Sequence, residues 1–154
     1  MWLSRKRVGV LKEVSLQTRF EQGVATRKRL IDAAIALLIS KSFQQTTIDE
    51  IAEKARFSKG AFYFHFSNKQ AILEALVKYL GELGLLWPPF PEVSSEVGLT
   101  LAQLESVVFK IWVEAKEKPE IRELLQSYLG PMTAASLARE MGKLVQHQIL
   151  AIPA

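Results

Sequence analysis

Apolar residues recur every three or four positions along most of the chain, and no segment alternates between apolar and polar residues for long. The first spacing places apolar side chains on one face of an α-helix, whereas alternation is typical of a half-buried strand. Stretches with the helical spacing follow one another from Thr26 to the carboxy-terminal region. The sequence therefore predicts an all-α protein.

The first predicted helix begins at Thr26, whose hydroxyl is placed to cap it. Its apolar stripe runs from Leu30 to Leu38 with helical spacing. Residues 40–45 break this spacing and are expected to form a loop. Phe43 lies in that loop, and its aromatic ring is expected to fill the core from there.

Two short helices are predicted next, with a turn of about three residues between them. Thr47 and Glu50 have the spacing of a capping box, in which a hydroxyl and a carboxylate satisfy free backbone amides at a helix start. Ser58 is placed to cap the following helix, residues 59–65. The inward face of that helix is expected to carry two aromatic residues: Phe62 and Phe66.

A long fourth helix is predicted after a second capping box formed by Ser67 and Gln70. Its stripe of apolar residues runs from Ile72 to Leu83. The prolines of the segment 87–91 are expected to end it, since proline cannot continue the helical hydrogen bonds. This segment is also the expected boundary between two domains.

Three further helices are predicted in the carboxy-terminal part of the chain. The first has its apolar stripe between Leu101 and Ala115. Pro119 is well suited to the first position of the second, and Gly130 with the proline after it is expected to end that helix. Thr133 is placed to cap the last helix.

The second and third helices match a helix-turn-helix, in which the last helix enters the major groove of DNA. Such a helix needs hydrogen-bond donors and small groups on its outer face. Lys59 can reach a phosphate or a guanine edge, Gly60 lets the backbone come close, and the Ala61 methyl suits a thymine methyl. Tyr63 and His65 can donate to phosphate oxygens.

Other residues near helix starts are further candidates for phosphate contacts. Lys69 adds a cation at the start of the fourth helix, and Thr46 and Thr47 offer hydroxyls at the start of the second. Five candidates also have an ordinary structural explanation: solvated charge for Lys59 and Lys69, half-buried packing for Tyr63, a satisfied histidine at the rim of the core for His65, and an easier helix crossing for Gly60. These explanations do not account for the clustering of all five on the third helix and the start of the fourth.

Residues 26–80 resemble the DNA-binding domain of TetR-type transcriptional regulators. The resemblance rests on three segments: TRKRLIDAAIALL, TTIDEIAEKA and FSKGAFYFHFSNKQAILEAL. It implies a helix-turn-helix at residues 47–66 with residues 58–65 as the reading helix, so that Ser58 joins the candidates. It also implies DNA contacts by six residues already singled out on other grounds: Lys59, Gly60, Ala61, Tyr63, His65 and Lys69.

This chain departs from the family pattern at Arg56, where the turn normally carries a glycine. A left-handed conformation there would cost a residue with a side chain roughly 1 kcal/mol or more.

The resemblance also sets the expected domain organisation. Residues 1–23 are expected to form a flexible basic arm, and residues 24–84 the TetR-type domain. Residues 85–154 are expected to form a small helical domain for effector binding and dimerisation, abbreviated relative to typical members. The charge distribution agrees with this division: residues 1–86 carry 14 basic and 8 acidic side chains, whereas the remainder carries 6 basic and 8 acidic ones.

Catalytic and metal-binding chemistry is not indicated. The chain has no cysteine and only 2 histidines, and it lacks the glycine-rich phosphate loops and the nucleophile turn of hydrolases. Four carboxylates on the predicted helices are interpreted as a solvated face rather than an acid–base pair: Glu114, Glu117, Glu120 and Glu123. We therefore expect no enzyme activity, no cofactor and no metal.

The longest apolar stretches are far shorter than the roughly 20 residues that span a bilayer. We therefore expect a cytoplasmic protein without membrane contact.

The resemblance implies a sequence-specific regulator, most simply a ligand-responsive repressor that binds a palindromic operator in double-stranded DNA as a homodimer. Four residues are candidates for a pocket that takes a small apolar effector: Phe109, Trp112, Tyr128 and Met132. The alternative for these four is that they simply fill the core of a helical bundle. The alternative function is a helical module that does not bind DNA and pairs with full-length relatives.

Overall fold

The protein is described here by a computed structural model covering residues 2–87, 97–130 and 134–150. Within these ranges all regular secondary structure is α-helical, which confirms the all-α prediction. No helix in these ranges has the length and apolar character needed to cross a membrane. The seven helices are α1 (Trp2–Ser40), α2 (Ile48–Ala55), α3 (Lys59–His65), α4 (Lys69–Glu82), α5 (Leu101–Glu117), α6 (Pro119–Leu129) and α7 (Ala134–Leu150).

One apolar core runs from α1 to α6. Leu30 and Leu38 of α1 are buried, and so is Phe43 in the loop that follows, as predicted. They pack in one cluster with Phe62 of α3 and Ile72 of α4. Because side chains four residues apart share a helix face, these spacings bury one side of each helix and leave the other side to solvent.

Helix α1 begins at Trp2 rather than at Thr26, so the predicted start is wrong. Thr26 lies inside the helix, and its hydroxyl donates to the carbonyl of Gln22 at 2.8 Å instead of capping a helix start. The side chains of residues 12–20 are exposed. A helix can form without a buried stripe when its residues have good intrinsic helix propensity, and the apolar pattern does not show this. The flexibility expected of residues 1–23 stays a prediction.

Both ends of α4 differ from the prediction. Asn68, not Ser67, caps the helix, because its side chain accepts a hydrogen bond from the amide of Ala71 at 2.9 Å. The helix ends at Glu82, before the prolines, in a left-handed turn at Gly84 with φ of 70°. The amide of Leu85 donates to the carbonyl of Leu80 at 2.8 Å, which is the closing bond of a Schellman motif. The prolines at positions 88–91 lie outside the described residues.

The carboxy-terminal helices agree more closely with their predicted boundaries. Thr100 and Gln103 form a capping box at the start of α5, which the pattern analysis missed. Pro119 occupies the first turn of α6 and Gly130 its end, as predicted. Thr133, the predicted cap of the last helix, lies outside the described residues.

The four carboxylates assigned to a solvated face are not equivalent. Glu114 is buried at 3% exposure, so its assignment was wrong, whereas Glu117, Glu120 and Glu123 are exposed. The cause is the packing of α5 against α1, which brings the face of α5 that carries Glu114 inside.

Candidate nucleic-acid interface

The start of α2 is fixed by a complete capping box. The Thr47 hydroxyl accepts from the amide of Glu50 at 3.2 Å, and the Glu50 carboxylate accepts from the amide of Thr47 at 2.9 Å. Lys41 also donates to this carboxylate. Hydrogen bonds from Lys41 and from Thr47 lower the pKa of Glu50 to about 2. The first helix of the motif is therefore tied both to its own cap and to the loop before it.

The turn between α2 and α3 contains a left-handed residue, Arg56, with φ of 62°. The Arg56 amide donates to the carbonyl of Glu53 at 2.9 Å, and the Phe57 amide donates to the carbonyl of Ala52 at 2.9 Å. These two bonds again make a Schellman motif, in which glycine usually takes the left-handed position. The sequence comparison at Arg56 thus correctly identified a position where the backbone favours glycine.

Helix α3 spans the predicted residues and is held from one side. Ser58 caps it, with its hydroxyl accepting from the amide of Ala61 at 3.1 Å. Phe62 is completely buried, and its ring centroid lies 5.6 Å from that of Phe66, which is also buried. The helix is only 7 residues long, so this aromatic anchor determines how its other side is presented.

The outer side of α3 carries most of the predicted DNA-contacting residues. Lys59 and Gly60 are exposed, Tyr63 is half exposed, and Ala61 is partly buried. The Lys59 ammonium lies 3.1 Å from the Asp49 carboxylate, and their side chains are 55% and 68% exposed. An ion pair this open contributes little to stability, so Lys59 can exchange Asp49 for a phosphate at low cost.

Phe64 was missed by the sequence analysis and is the most exposed large apolar side chain described, at 84%. It lies on α3 beside Tyr63 and packs edge-on against the ring of His65, with centroids 5.2 Å apart. The available signal was the run of five consecutive aromatic residues from Phe62 to Phe66. Successive helix positions are about 100° apart, so such a run cannot all face the core.

His65 lies at the edge of this face and is partly buried. Its carbonyl accepts from the Arg27 guanidinium at 3.2 Å, and that guanidinium stacks over the Phe66 ring at 4.3 Å. Burial and then the Arg27 charge lower the pKa of His65 from its ordinary value. The lowered pKa favours the neutral imidazole, which carries one hydrogen-bond donor and no charge.

Two of the predicted phosphate contacts face the protein rather than solvent. Thr46 is 1% exposed, and its hydroxyl donates to the carbonyl of Ser42 at 2.9 Å. The Lys69 ammonium lies 2.9 Å from the carbonyls of Phe43 and Thr46 and 3.3 Å from that of Gln44. An ammonium group has three donors, and these three carbonyls use all of them. In this structure the Thr46 hydroxyl and the Lys69 ammonium hold the loop between α1 and α2. The phosphate contacts expected of these two residues stay predictions.

The four candidates for an effector pocket are not equivalent. Trp112 is completely buried, its indole N–H donates to the carbonyl of Leu86 at 3.2 Å, and its ring packs against Trp87. Phe109 is partly buried and Tyr128 is 38% exposed. Met132 lies outside the described residues. Trp112 thus agrees with the alternative that it fills the core, and the effector pocket stays a prediction.

The geometry described above defines a helix-turn-helix whose third helix, α3, has one buried face and one exposed face that carries Lys59. Residues 30–76 match the family model described as "Bacterial regulatory proteins, tetR family". This match lies within the helix-turn-helix part of the chain and confirms the predicted resemblance of that part to TetR-type regulators. The family consists of DNA-binding regulators rather than enzymes.

Individual relatives also match part of this chain. The chain is 38% identical over 85 residues to the uncharacterized HTH-type transcriptional regulator YvkB of Bacillus subtilis, covering 55% of this chain and 38% of that protein. It is 44% identical over 54 residues to the TetC protein of transposon Tn10 from Escherichia coli, covering 35% of this chain and 27% of that protein. The alignments thus span well under half the length of these relatives.

Among solved structures, the chain is similar to a TetR-family transcriptional regulator from Haemophilus influenzae, with a TM-score of 0.38 and 19% identity. The superposition covers 82% of this chain and 70% of that one.

Proposed function

We propose that this protein is a sequence-specific DNA-binding transcriptional regulator that reads the major groove with α3. The observation that carries the proposal is the two-sided character of this helix. Phe62 and Phe66 anchor one side in the core, while Lys59, Gly60 and Tyr63 stand exposed on the other. A short helix of this kind fits a groove that is about 12 Å wide.

The exposed residues divide into two roles. Lys59, Gly60 and Ala61 lie in the first turn of α3, from which a reading helix contacts base edges. Tyr63 and His65 supply donors for phosphate oxygens, which fix the position of the domain without reading sequence. Ser58 and Thr47 cap their helices and lie at the two helix starts, where backbone amides favour phosphate.

The wider proposal is a ligand-responsive repressor that acts in the cytoplasm as a homodimer on a palindromic operator. Two reading helices related by a twofold axis address half-sites about one helical turn apart. A small apolar effector among the carboxy-terminal helices would shift the population between DNA-binding and inactive conformations. Support for this part comes from the family match and from the packing of α5 on α1.

The test is a salt titration of DNA binding with charge-matched variants. Lys59→Ala removes a cation from the reading face, and Lys116→Ala removes an exposed cation from α5. The affinity for a duplex selected from a random pool should fall for the first variant only. Its salt slope should also fall by about one if Lys59 contacts a phosphate, and sequence preference should relax if Lys59 contacts a base.

Equal DNA affinities and salt slopes for Lys59→Ala and Lys116→Ala would contradict the proposal that α3 meets the DNA. A wild-type chain that elutes as a monomer and shows no salt-dependent binding would instead favour the module that pairs with full-length relatives.

A further inference from the structure

A polar stripe runs along the face of α5 that packs on the DNA-binding domain. Its members recur every four residues, a spacing that keeps side chains on one face of a helix. All four have partners in or beside that domain or within the stripe itself. The members of this stripe, here called the α5 stripe, are Ser106, Lys110, Glu114 and Lys118.

The first two members meet the end of α1. The Lys110 ammonium donates to the carbonyls of Leu38 and Ile39, the latter at 3.0 Å, and the Ser106 hydroxyl lies 3.5 Å from the carbonyl of Ile39. Carbonyls in the last turn of a helix have no partner inside that helix, and a lysine there also interacts favourably with the helix dipole. Helix α5 therefore caps α1 across a sequence separation of about 70 residues.

The last two members meet the loop between α1 and α2. The Lys118 ammonium lies 2.8 Å from the buried Glu114 carboxylate and 4.6 Å from the centre of the Phe43 ring. Lys69 lies 4.7 Å from the centre of the same ring. Phe43 is thus in contact with one cation from the DNA-binding domain and one from the carboxy-terminal part.

The charges of this cluster act on one another. Burial lowers the pKa of Lys69, the nearby charge of Lys118 lowers it further, and the charge of Glu114 opposes both. The Glu114 Oε2 atom lies 2.8 Å from the Lys118 ammonium and accepts no hydrogen bond from any other described residue. The carboxylate is therefore the counter-charge for two lysines in a poorly solvated place, where charge interactions are stronger than in water.

Lys69 connects this cluster to the helix-turn-helix. Its ammonium bonds to the carbonyls of Phe43, Gln44 and Thr46, and the next residue, Thr47, caps α2. Contacts therefore run without a break from Glu114 through Lys118, the Phe43 ring and Lys69 to the loop residue before Thr47. Helix α2 is joined to α3 by the turn at Arg56.

We infer that the α5 stripe, acting through Phe43 and Lys69, positions the helix-turn-helix for DNA binding and is the contact through which the carboxy-terminal helices regulate it. Its residues are positioning residues, since none of them needs to touch DNA. The inference rests on the proposed function and adds the route by which that function is controlled.

The experiment compares Glu114→Gln with Glu117→Gln. Both variants change the net charge by the same amount on the same helix, but Glu117 is exposed. Binding to a duplex selected by the wild-type chain from a random pool is measured together with the melting temperature. The dissociation constant of Glu114→Gln should rise about fivefold or more relative to Glu117→Gln, the lower end of typical couplings between sites.

The fraction of active protein separates positioning from a merely structural role. A structural defect lowers the melting temperature and the fraction of molecules that bind, but it leaves the dissociation constant of the folded molecules unchanged. A positioning defect raises that constant at a temperature where the variant is fully folded. Equal dissociation constants for Glu114→Gln and Glu117→Gln would overturn the inference.

A double-mutant cycle keeps the inference testable if Glu114→Gln folds poorly. Lys118→Met and Lys69→Met are measured singly and together, with Lys116→Met as the charge-matched control for Lys118→Met. Members of one connected cluster give non-additive losses of DNA affinity, whereas additive losses would overturn the inference.

Failure of the inference is distinguishable from failure of the proposed function. If the wild-type chain shows no salt-dependent DNA binding, the proposed function and the inference are both wrong. If the wild-type chain binds DNA and the two glutamate variants have equal affinities, only the coupling through the α5 stripe is wrong.

Discussion

Replacing Arg56 by glycine should stabilise the protein, because Arg56 holds a backbone conformation that disfavours a side chain. Its φ of 62° and ψ of 43° lie in the left-handed region. That conformation costs a residue with a β-carbon roughly 1–2 kcal/mol. Glycine avoids this cost and keeps the amide hydrogen bond to the Glu53 carbonyl, since only the backbone is involved.

The expected gain is smaller than the strain. Glycine makes the unfolded chain more flexible, which costs about 0.4–1 kcal/mol relative to alanine. The free energy of unfolding of Arg56→Gly should therefore exceed that of Arg56→Ala by about 0.5–1 kcal/mol. Arg56→Ala is the reference because it loses the same exposed side chain but keeps the β-carbon.

Urea denaturation measures this difference, provided that the dependence on denaturant is the same for both variants. An exposed position inside α2, Glu53, gives the matched control. There glycine should be less stable than alanine by about 1 kcal/mol, as in an ordinary helix interior. Glycine should therefore be the more stable of the two residues at position 56 and the less stable at position 53. If Arg56→Gly is no more stable than Arg56→Ala, the left-handed backbone does not disfavour a side chain as argued.

Three further predictions concern the helix-turn-helix. Gly60→Ala should raise the free energy of unfolding by up to about 1 kcal/mol, because alanine favours the helix and the nearest atom to the added methyl lies 3.7 Å away. It should also weaken DNA binding, because the face toward DNA becomes bulkier. Urea denaturation measures the first effect and a binding titration the second. Phe64→Ala should change the free energy of unfolding by less than about 0.5 kcal/mol and still reduce DNA affinity, whereas Phe62→Ala should lower the free energy of unfolding by about 3–5 kcal/mol. Unfolding and binding curves of both variants distinguish the surface role of Phe64 from the core role of Phe62. Folding lowers the pKa of Glu50 to about 2, so the ionised carboxylate stabilises the protein fully above the ordinary value of 4.5, and this stabilisation is lost as the pH falls toward 2. The difference in the free energy of unfolding between wild type and Glu50→Gln should therefore shrink over that pH range. A difference that stays constant with pH would contradict the assignment.

The sequence alone was sufficient for several elements whose determining contacts are local. The bounds of α3 follow from Ser58 and from the spacing of Phe62 and Phe66, and Pro119 marks the start of α6. Capping bonds join residues three positions apart, so their partners are visible in a short window of sequence. The left-handed turn at Arg56 was also foreseeable, because a family pattern with glycine indicates a backbone requirement.

Where the partners are distant in sequence, the pattern did not reveal them. Lys69 and Thr46 were assigned to phosphate because they are polar residues near helix starts, and the structure shows that both side chains also bond to backbone carbonyls of the protein. The three acceptors of Lys69 lie more than 20 residues away, and no local pattern marks a backbone carbonyl that needs a donor. Glu114 differs from Glu117 only by the face of α5 on which it lies.

Helix α1 and Phe64 show two other limits of pattern analysis. The apolar pattern detects helices through their buried face, so it placed the start of α1 at Thr26, one turn before burial begins at Leu30. Phe64 was not singled out in the sequence, although it lies two positions from both Phe62 and Phe66 and the helix geometry turns it to solvent.

The most direct test is to locate the surface of the protein that meets DNA. An NMR titration with a duplex selected from a random pool follows the backbone amides of the whole chain at once. The largest chemical-shift changes should fall on Lys59 to His65 and on Thr47, with much smaller ones on α6. Shifts centred on α5 to α7, or no saturable shifts at any salt concentration, would contradict the proposal that α3 meets the DNA.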